Sequence, residues 1–548
     1  MQKAVLAIIV IIAIITAWFM GTLEESLPKD PEPQKKNSKN TPKAKHNNPK
    51  LTNLRFKKIK ARVIGNSTAE IFDAAKGSKP EKDVILEGEK VLGFKTKEEL
   101  LRFLKEAKRL GIDVTGIISQ LNAVRIKFRD PRLLSKLLEQ FPDLQLVGEN
   151  PTVNVPKPIG SSSYSGFGFD TLKWLGVTDN KGWGKGIKVA FVDTGISSHP
   201  AFEGKFIQRF NMLEDDGSVT SGHGTSVASL IAGDSLFAKG ISPDVQLMDF
   251  RALDGNGVGD SFTIAKAIVE AVDNGAKIIN LSLGSPSGSF AMQQAVNYAR
   301  QNGVYLIASV GNDGQGQISY PAKYDGVIAV SAVDKKENYL DFANRGEEVD
   351  ISAPGLNIIA ADLDGRHSYF SGTSASAPLV SGTLAMLLSE YPNASEEYIL
   401  NALFHNANDV GEPSHDPLYG DGILNVKRIE DKDVPGIYDF AASGVDVRQS
   451  VDNPDDVIIT FTGENRGTEE LQNTKLKLSI GGQVEEVSFS NVVVGQTVHY
   501  TLKVKMDDLR KSNGVITVSG DVLGSTDTNI ANNIKTLQLS LPEEDAEE

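Results

Sequence analysis

The 548-residue chain contains no cysteine. That absence excludes disulfides, thiolate zinc sites, iron–sulfur clusters and a cysteine nucleophile. Stability must come from core packing or bound ions, and any covalent chemistry from another side chain. Basic charge is also short, with 57 Lys and Arg against 71 Asp and Glu, a net of −14. Nucleic-acid binding is not expected, because it needs a basic face to displace counterions from phosphate. Only 7 histidines are present, so a functional histidine has few candidates. What remains is ordinary for a folded protein: 40% hydrophobic and 23% charged residues, enough to build cores. At about 150 residues per domain, the length predicts three to four units.

The net charge hides two regions. Residues 28–62 hold twelve Lys or Arg and two acids, leaving a strongly acidic remainder after Arg62. Ahead of the basic stretch, Ala4–Met20 is an uncharged apolar run preceded by Lys3. As a helix it would be roughly 26 Å long, the short end of what spans a bilayer. Residues 1–22 are therefore expected to be a signal peptide or membrane anchor, with export as the consequence. A retained anchor is favoured, because Trp18-Phe19-Met20 offers no small-residue cleavage pattern. Residues 23–83, rich in Pro, Lys and Asn, read as a basic flexible linker.

Three patterned regions follow. Over residues 84–155 the order strand, helix, strand, strand, helix, strand is ferredoxin-like. Thr96 and Glu99 form a capping box, Gly111 stops the first helix, and Asp130-Pro131 opens the second. Residues 156–434 read as α/β, with apolar strands near Lys188–Val192, Val245–Phe250, Ile278–Leu283, Tyr305–Val310 and Val327–Val330. Such runs fit a parallel sheet covered by helices on both faces. Residues 435–541 carry short alternating strands with Gly, Asn and Asp turns, a β-sandwich pattern, and 542–548 form an acidic tail.

Four segments of the α/β region carry the chemistry. Asp193-Thr-Gly ends an apolar strand, His223-Gly-Thr precedes a helix, Asn312-Asp-Gly ends another strand, and Gly372-Thr-Ser374-Ala opens a helix among small residues. A serine hydroxyl becomes nucleophilic when a histidine accepts its proton, and a carboxylate holds that histidine in the useful tautomer. The resulting oxyanion needs preorganised donors, such as a helix N-terminal N–H and a side-chain amide. Each motif alone is ordinary loop chemistry; their joint order and spacing are not.

Taken together the segments resemble the subtilisin family of serine proteases, in that family's order Asp, His, Ser. Asn280-Leu-Ser-Leu-Gly284, Tyr320-Pro-Ala and Tyr419-Gly-Asp-Gly also occur in order. The resemblance implies a secreted or membrane-tethered serine endopeptidase with Asp193, His223 and Ser374 as the triad and Asn312 as oxyanion donor. It implies a peptide-binding cleft between Gly257-Val258-Gly259 and Ser282-Leu283-Gly284, with Ser319 at the base of the pocket beside the cut. Polypeptides are the expected substrates and a monomer the expected state.

The flanking units acquire roles by the same resemblance. Residues 84–155 are similar to an inhibitory propeptide of an autoprocessed zymogen, with the cut expected between Val155 and Gly168. The C-terminal unit resembles the CARDB-like sandwiches of bacterial exoenzymes. No cofactor is implied for the chemistry, and structural calcium stays open. The loop 233–240, the family's usual calcium loop, is short here and has one carboxylate, whereas calcium takes six to eight oxygens. Ser226 replaces a second histidine of the family, a change expected to be harmless. The protein is expected outside the cytoplasm, extracellular or anchored at the cell surface or periplasm. The competing expectation is a catalytically silent subtilase fold used for binding or adhesion; an altered triad residue would favour it, and none is altered.

Overall fold

In the computed structural model the described residues are 60–63, 67–70, 85–141, 144–156, 164–450, 453, 455–523 and 526–540. The apolar run Ala4–Met20, most of the basic linker, His46 and the acidic tail lie outside them. Among the described residues no helix is long and apolar enough to cross a membrane.

The first body is a four-stranded antiparallel sheet with two helices. Its elements are β1 (Glu89–Gly93), α1 (Lys97–Leu110), β2 (Asp113–Ile118), β3 (Ala123–Lys127), α2 (Pro131–Leu138) and β4 (Leu146–Gly148). The order β2-β3-β1-β4 is the ferredoxin-like arrangement expected. The caps are as read: Thr96 Oγ1 accepts from the Glu99 N–H at 3.2 Å, Gly111 is left-handed, and Asp130 accepts from the Arg132 N–H. Leu92, Leu100, Phe103, Val124, Ile126 and Leu137 form the core between sheet and helices. After β4 a short strand, β5 (Thr152–Asn154), leaves this body and enters the next.

The central body is a seven-stranded, all-parallel sheet. Its strands are β6 (Lys188–Asp193), β7 (Ile207–Asn211), β8 (Gln246–Arg251), β10 (Ile278–Leu281), β11 (Tyr305–Ser309), β12 (Val327–Val333) and β13 (Ile351–Pro354), in the order β13-β12-β11-β10-β6-β8-β7. The short strand β9 (Val258–Asp260) stands apart and pairs with β5. Five of the seven strands match expected runs. The edge strands β7 and β13 were not expected: IQRFN is half polar and ISAP is four residues ending in proline, so neither makes a long apolar run.

Helices α3 (His223–Ala232), α4 (Ser261–Asp273), α5 (Phe290–Gln301), α6 (Thr373–Glu390), α7 (Glu396–Phe404) and α8 (Val426–Asp431) complete this body. One apolar core contains α4, α5 and the residues of one sheet face; the other contains α3 and α6 on the opposite face. Two buried layers on a sheet are what its continuously apolar strands require.

The last body has two antiparallel sheets around a separate core that includes Phe440, Phe461, Leu476 and Val518. One sheet is β14 (Phe440–Gln449), β15 (Asp456–Asn465) and β18 (Thr497–Lys505); the other holds β16 (Leu471–Ile480), β17 (Gln483–Val492), β19 (Val515–Val522) and β20 (Ile534–Ser540). The stretch read as linker differs from expectation in one respect. Lys60–Val63 is a strand paired antiparallel to β20, and Ser67–Glu70 pairs with it in turn. The exposed backbone of β20 offers the ladder that a polar segment can extend.

Candidate active site

The candidate side chains stand at the carboxyl ends of β6 and β11 and at the starts of α3 and α6, where ligands gather in open α/β sheets. Asp193 is the last residue of β6 and is fully buried. Its Oδ1 accepts the Thr194 N–H at 2.7 Å and faces His223 Nδ1 at 2.8 Å, with Oδ2 at 3.0 Å from the same nitrogen. The Thr194 hydroxyl accepts the Gly224 N–H at 3.0 Å, so the Asp-Thr-Gly turn also caps the helix that His223 begins. Phe370 packs edge-on against the imidazole, 5.2 Å between centroids. A carboxylate on Nδ1 fixes the tautomer that leaves Nε2 free to accept a proton, and Nε2 is buried with no hydrogen-bond partner among the described residues.

Ser374 is the second residue of α6 and is 1% exposed. Its hydroxyl donates to the Ser282 carbonyl at 3.3 Å. Asn312 lies across from it, also buried. Asn312 Oδ1 accepts from the Thr373 N–H at 3.0 Å and the Thr373 hydroxyl at 2.9 Å, which turns Nδ2 toward the cleft. Gly372 makes this approach feasible: its φ is +116°, and a Cβ there would sit 2.6 Å from Asn312 Nδ2. Below, Ser381 donates to Asn280, Asn280 to Ser282 Oγ, and that hydroxyl to the Ser374 carbonyl, each at 2.9–3.0 Å. This chain of buried, satisfied polar groups ties α6 to β10.

The cleft is occupied by the chain itself. Strand β5 pairs antiparallel with β9, Val153 opposite Gly259 and Asn154 opposite Val258. Val155 donates to the Gly257 carbonyl at 2.9 Å, while Asn154 and Gly284 exchange bonds of 2.9 and 2.8 Å. Asn312 Nδ2 donates to the Pro156 carbonyl at 3.0 Å. Gly257, Val258 and Gly259 on one side and Gly284 on the other thus flank an extended peptide, and Ser282 and Leu283 are buried next to Gly284 in the chain. A Cβ added to Gly284 would meet Ser319 at 3.0 Å and the Pro156 ring at 3.9 Å, which brings Ser319 beside the same residue.

Strand β5 and its body are held by side chains that sequence reasoning missed. Asp260 caps α4 and accepts from Arg125 Nη1 at 2.9 Å and Asn150 Nδ2 at 3.0 Å. Phe262 and Phe290 rest on Gly116 and Gly93 of the first body, where a Cβ would lie 2.5 and 2.4 Å from a ring carbon. Asp249 on β8 was likewise not singled out. It is buried, accepts from the Ile196 N–H and from Arg209 Nη1 at 3.0 Å each, and burial raises its pKa to about 6. A carboxylate inside an otherwise apolar strand is the one sequence signal that points to it.

His199, His367, His405, His415 and His499 take no part in this cluster. His199 accepts the Ala201 N–H and lies near the Arg366 carbonyl, and His415 sits between Asp421 and the Glu347 carbonyl. Ser226 is buried and donates to the Ala361 carbonyl at 2.7 Å. Loop 233–240 closes on itself through an Asp234–Lys239 bridge, with the Asp234 N–H directed to Ala201. Asp234 is the one carboxylate of this loop, where calcium takes six to eight oxygen ligands. Among the described residues no group of three or more His, Asp or Glu side chains is placed to hold a metal ion.

Comparison with known proteins agrees with this geometry. Residues 184–422 match the profile of the subtilase family, peptidase S8. A thermostable alkaline protease of Halalkalibacterium halodurans is 33% identical over 319 residues, 58% of this chain and 85% of that protein. Subtilisin Savinase of Lederbergia lenta is 38% identical over 246 residues, 44% of this chain and 90% of that one. Among solved structures, fervidolysin from Fervidobacterium pennivorans, a keratinolytic enzyme related to subtilisin, superposes with a TM-score of 0.55 at 21% identity, covering 82% of this chain and 88% of that one. The chain belongs to the subtilase family and is a subtilisin-like serine endopeptidase.

Proposed function

We propose that Ser374, His223 and Asp193 form the catalytic triad of an endopeptidase made as an autoprocessed zymogen, with Asn312 as oxyanion donor. Ser374 Oγ attacks the substrate carbonyl carbon as its proton passes to His223 Nε2; that proton then goes to the leaving amine. Water repeats the cycle on the acyl-enzyme. The observation that carries this reading is the Pro156 carbonyl held by Asn312 Nδ2 at 3.0 Å, while the same Asn312 side chain binds Thr373, the residue before Ser374. A main-chain ladder on both sides of the peptide fixes register without demanding particular side chains, and Gly257–Gly259, Ser282–Gly284 and Ser319 serve as that substrate channel.

Residues 84–155 act as an intramolecular inhibitor, since their terminal strand fills the channel a substrate needs. The cut falls between Val155 and Gly168, and residues 156–434 form the catalytic domain. Residues 435–541 are a CARDB-like module. The N-terminal apolar run directs export and tethers the precursor to the membrane, so maturation releases an extracellular enzyme. Fractionation of cells making the wild type and Ser374→Ala tests this directly. Wild type is expected in the released fraction, with the variant intact and membrane-bound; equal release of both overturns the reading.

A further inference from the structure

The ladder holding residues 152–156 lacks one bond. Asn154 and Gly284 exchange both backbone hydrogen bonds, and in an antiparallel ladder the next exchanging pair lies two residues further on in each strand. That pair is Pro156 and Ser282. Proline has no N–H, so the Ser282 carbonyl receives nothing from the bound strand. It accepts the Ser374 hydroxyl instead, at 3.3 Å, and His223 Nε2 has no partner among the described residues. The carbonyl oxygen of Pro156 is thus held by Asn312 while the Ser374 hydroxyl is bonded to Ser282.

We propose that Pro156 marks the chain's own processing site, the Pro156–Lys157 bond, and also acts as a latch on it, because its missing N–H leaves the Ser282 carbonyl free to hold Ser374. This rests on the assignment of Ser374 as nucleophile. When the hydroxyl swings to His223, its oxygen bonds to the Pro156 carbonyl carbon and its proton moves to Nε2. The bond to the Lys157 nitrogen then breaks, and that nitrogen takes the proton. Water attacks the Pro156–Ser374 ester and gives its own proton to His223; the departing Ser374 oxygen takes it back, leaving a Pro156 carboxylate. Any other residue at 156 donates to Ser282 and competes for that acceptor. Ordinary substrates therefore do not set the latch, and only the first, self-directed cut is slow.

The test follows processing of the full chain by pulse labelling, comparing wild type with Pro156→Ala, Pro156→Leu and Ser374→Ala. One regained hydrogen bond corresponds to roughly a threefold to tenfold change in rate. Both Pro156 variants are expected to process faster than wild type by that factor. Each should yield the same new N-terminus, Lys157, and so a mature enzyme of unchanged kcat/KM. Unchanged rates, acceleration in only one variant, or a first cut elsewhere overturns the proposal. Processing of Ser374→Ala at the wild-type rate overturns instead the assignment of Ser374 on which it rests.

Discussion

Asn312 presents its two ends to different partners: the oxygen is fixed by Thr373 and the amide reaches a peptide carbonyl. An alanine keeps the fold of the strand end but removes the donor. Asn312→Ala is expected to lower kcat by about 10²–10³ with little change in KM, the scale subtilisin shows for its own oxyanion-hole asparagine. Steady-state kinetics on a peptide substrate checks it, and a loss below tenfold contradicts the role. Asp409 tests electrostatics at a distance from the site. Burial, with Glu464 adding repulsion, raises its pKa from 3.8 to about 7 against the opposing bonds from Thr497 and Ser414. The folded chain therefore keeps a proton that the unfolded chain loses near pH 3.8, and this contribution to stability fades as pH rises toward 7. The thermal midpoint of wild type should fall relative to Asp409→Asn between pH 4 and 7. A difference independent of pH contradicts the assignment.

At this scale Asp193, His223, Asn312 and Ser374 were legible in the sequence, because each lies within a short motif at a strand end or helix start. Asp260, Phe262 and Pro156 were not. Their importance depends on which distant backbone lies opposite, and no local pattern encodes that.

Among the elements, strand β5 and the glycine seats of the first sheet decide how firmly the first body is held against the central one. Gly116 has a Cβ position only 2.5 Å from a Phe262 ring carbon, so Gly116→Val overpacks the contact at a cost of about 1–3 kcal/mol. Within its own strand, valine is the better residue. The variant should therefore fold its first body at least as well as wild type yet let activity appear sooner. A time course of peptide hydrolysis from freshly made full chain measures this, and an onset equal to wild type contradicts the docking role. The helix and strand order of this body was legible from caps and period, as were the long apolar strands of the central sheet. The edge strands β7 and β13 escaped because an edge position tolerates short or polar sequence, and the pairing of Lys60–Val63 with β20 joins segments far apart in the chain.

For the molecule as a whole, a buried charge cluster joins the catalytic body to the sandwich. Glu464 of β15 accepts from Arg428 of α8 at 2.7 Å and from Arg466 at 2.8 Å, and Lys535 of β20 lies 3.3 Å from Glu337. Arg428 and Glu464 are 9% and 2% exposed at their side chains. Removing one partner leaves an uncompensated buried charge, so Glu464→Gln is expected to destabilise the protein by about 3–5 kcal/mol, read from denaturant midpoints. A cost below 1 kcal/mol would mean that the cluster does not join the two bodies. Composition excluded cysteine chemistry for the whole chain, but it gave no sign of this cluster, whose members are spread over some two hundred residues of sequence.

The central claim, that Ser374 is an activated nucleophile, is tested most directly by labelling the matured protein with a fluorophosphonate and locating the adduct by peptide mass. The account predicts a single adduct on Ser374 that is absent from His223→Ala. No adduct on Ser374, or one of equal yield without the histidine, contradicts it and favours a silent fold used for binding.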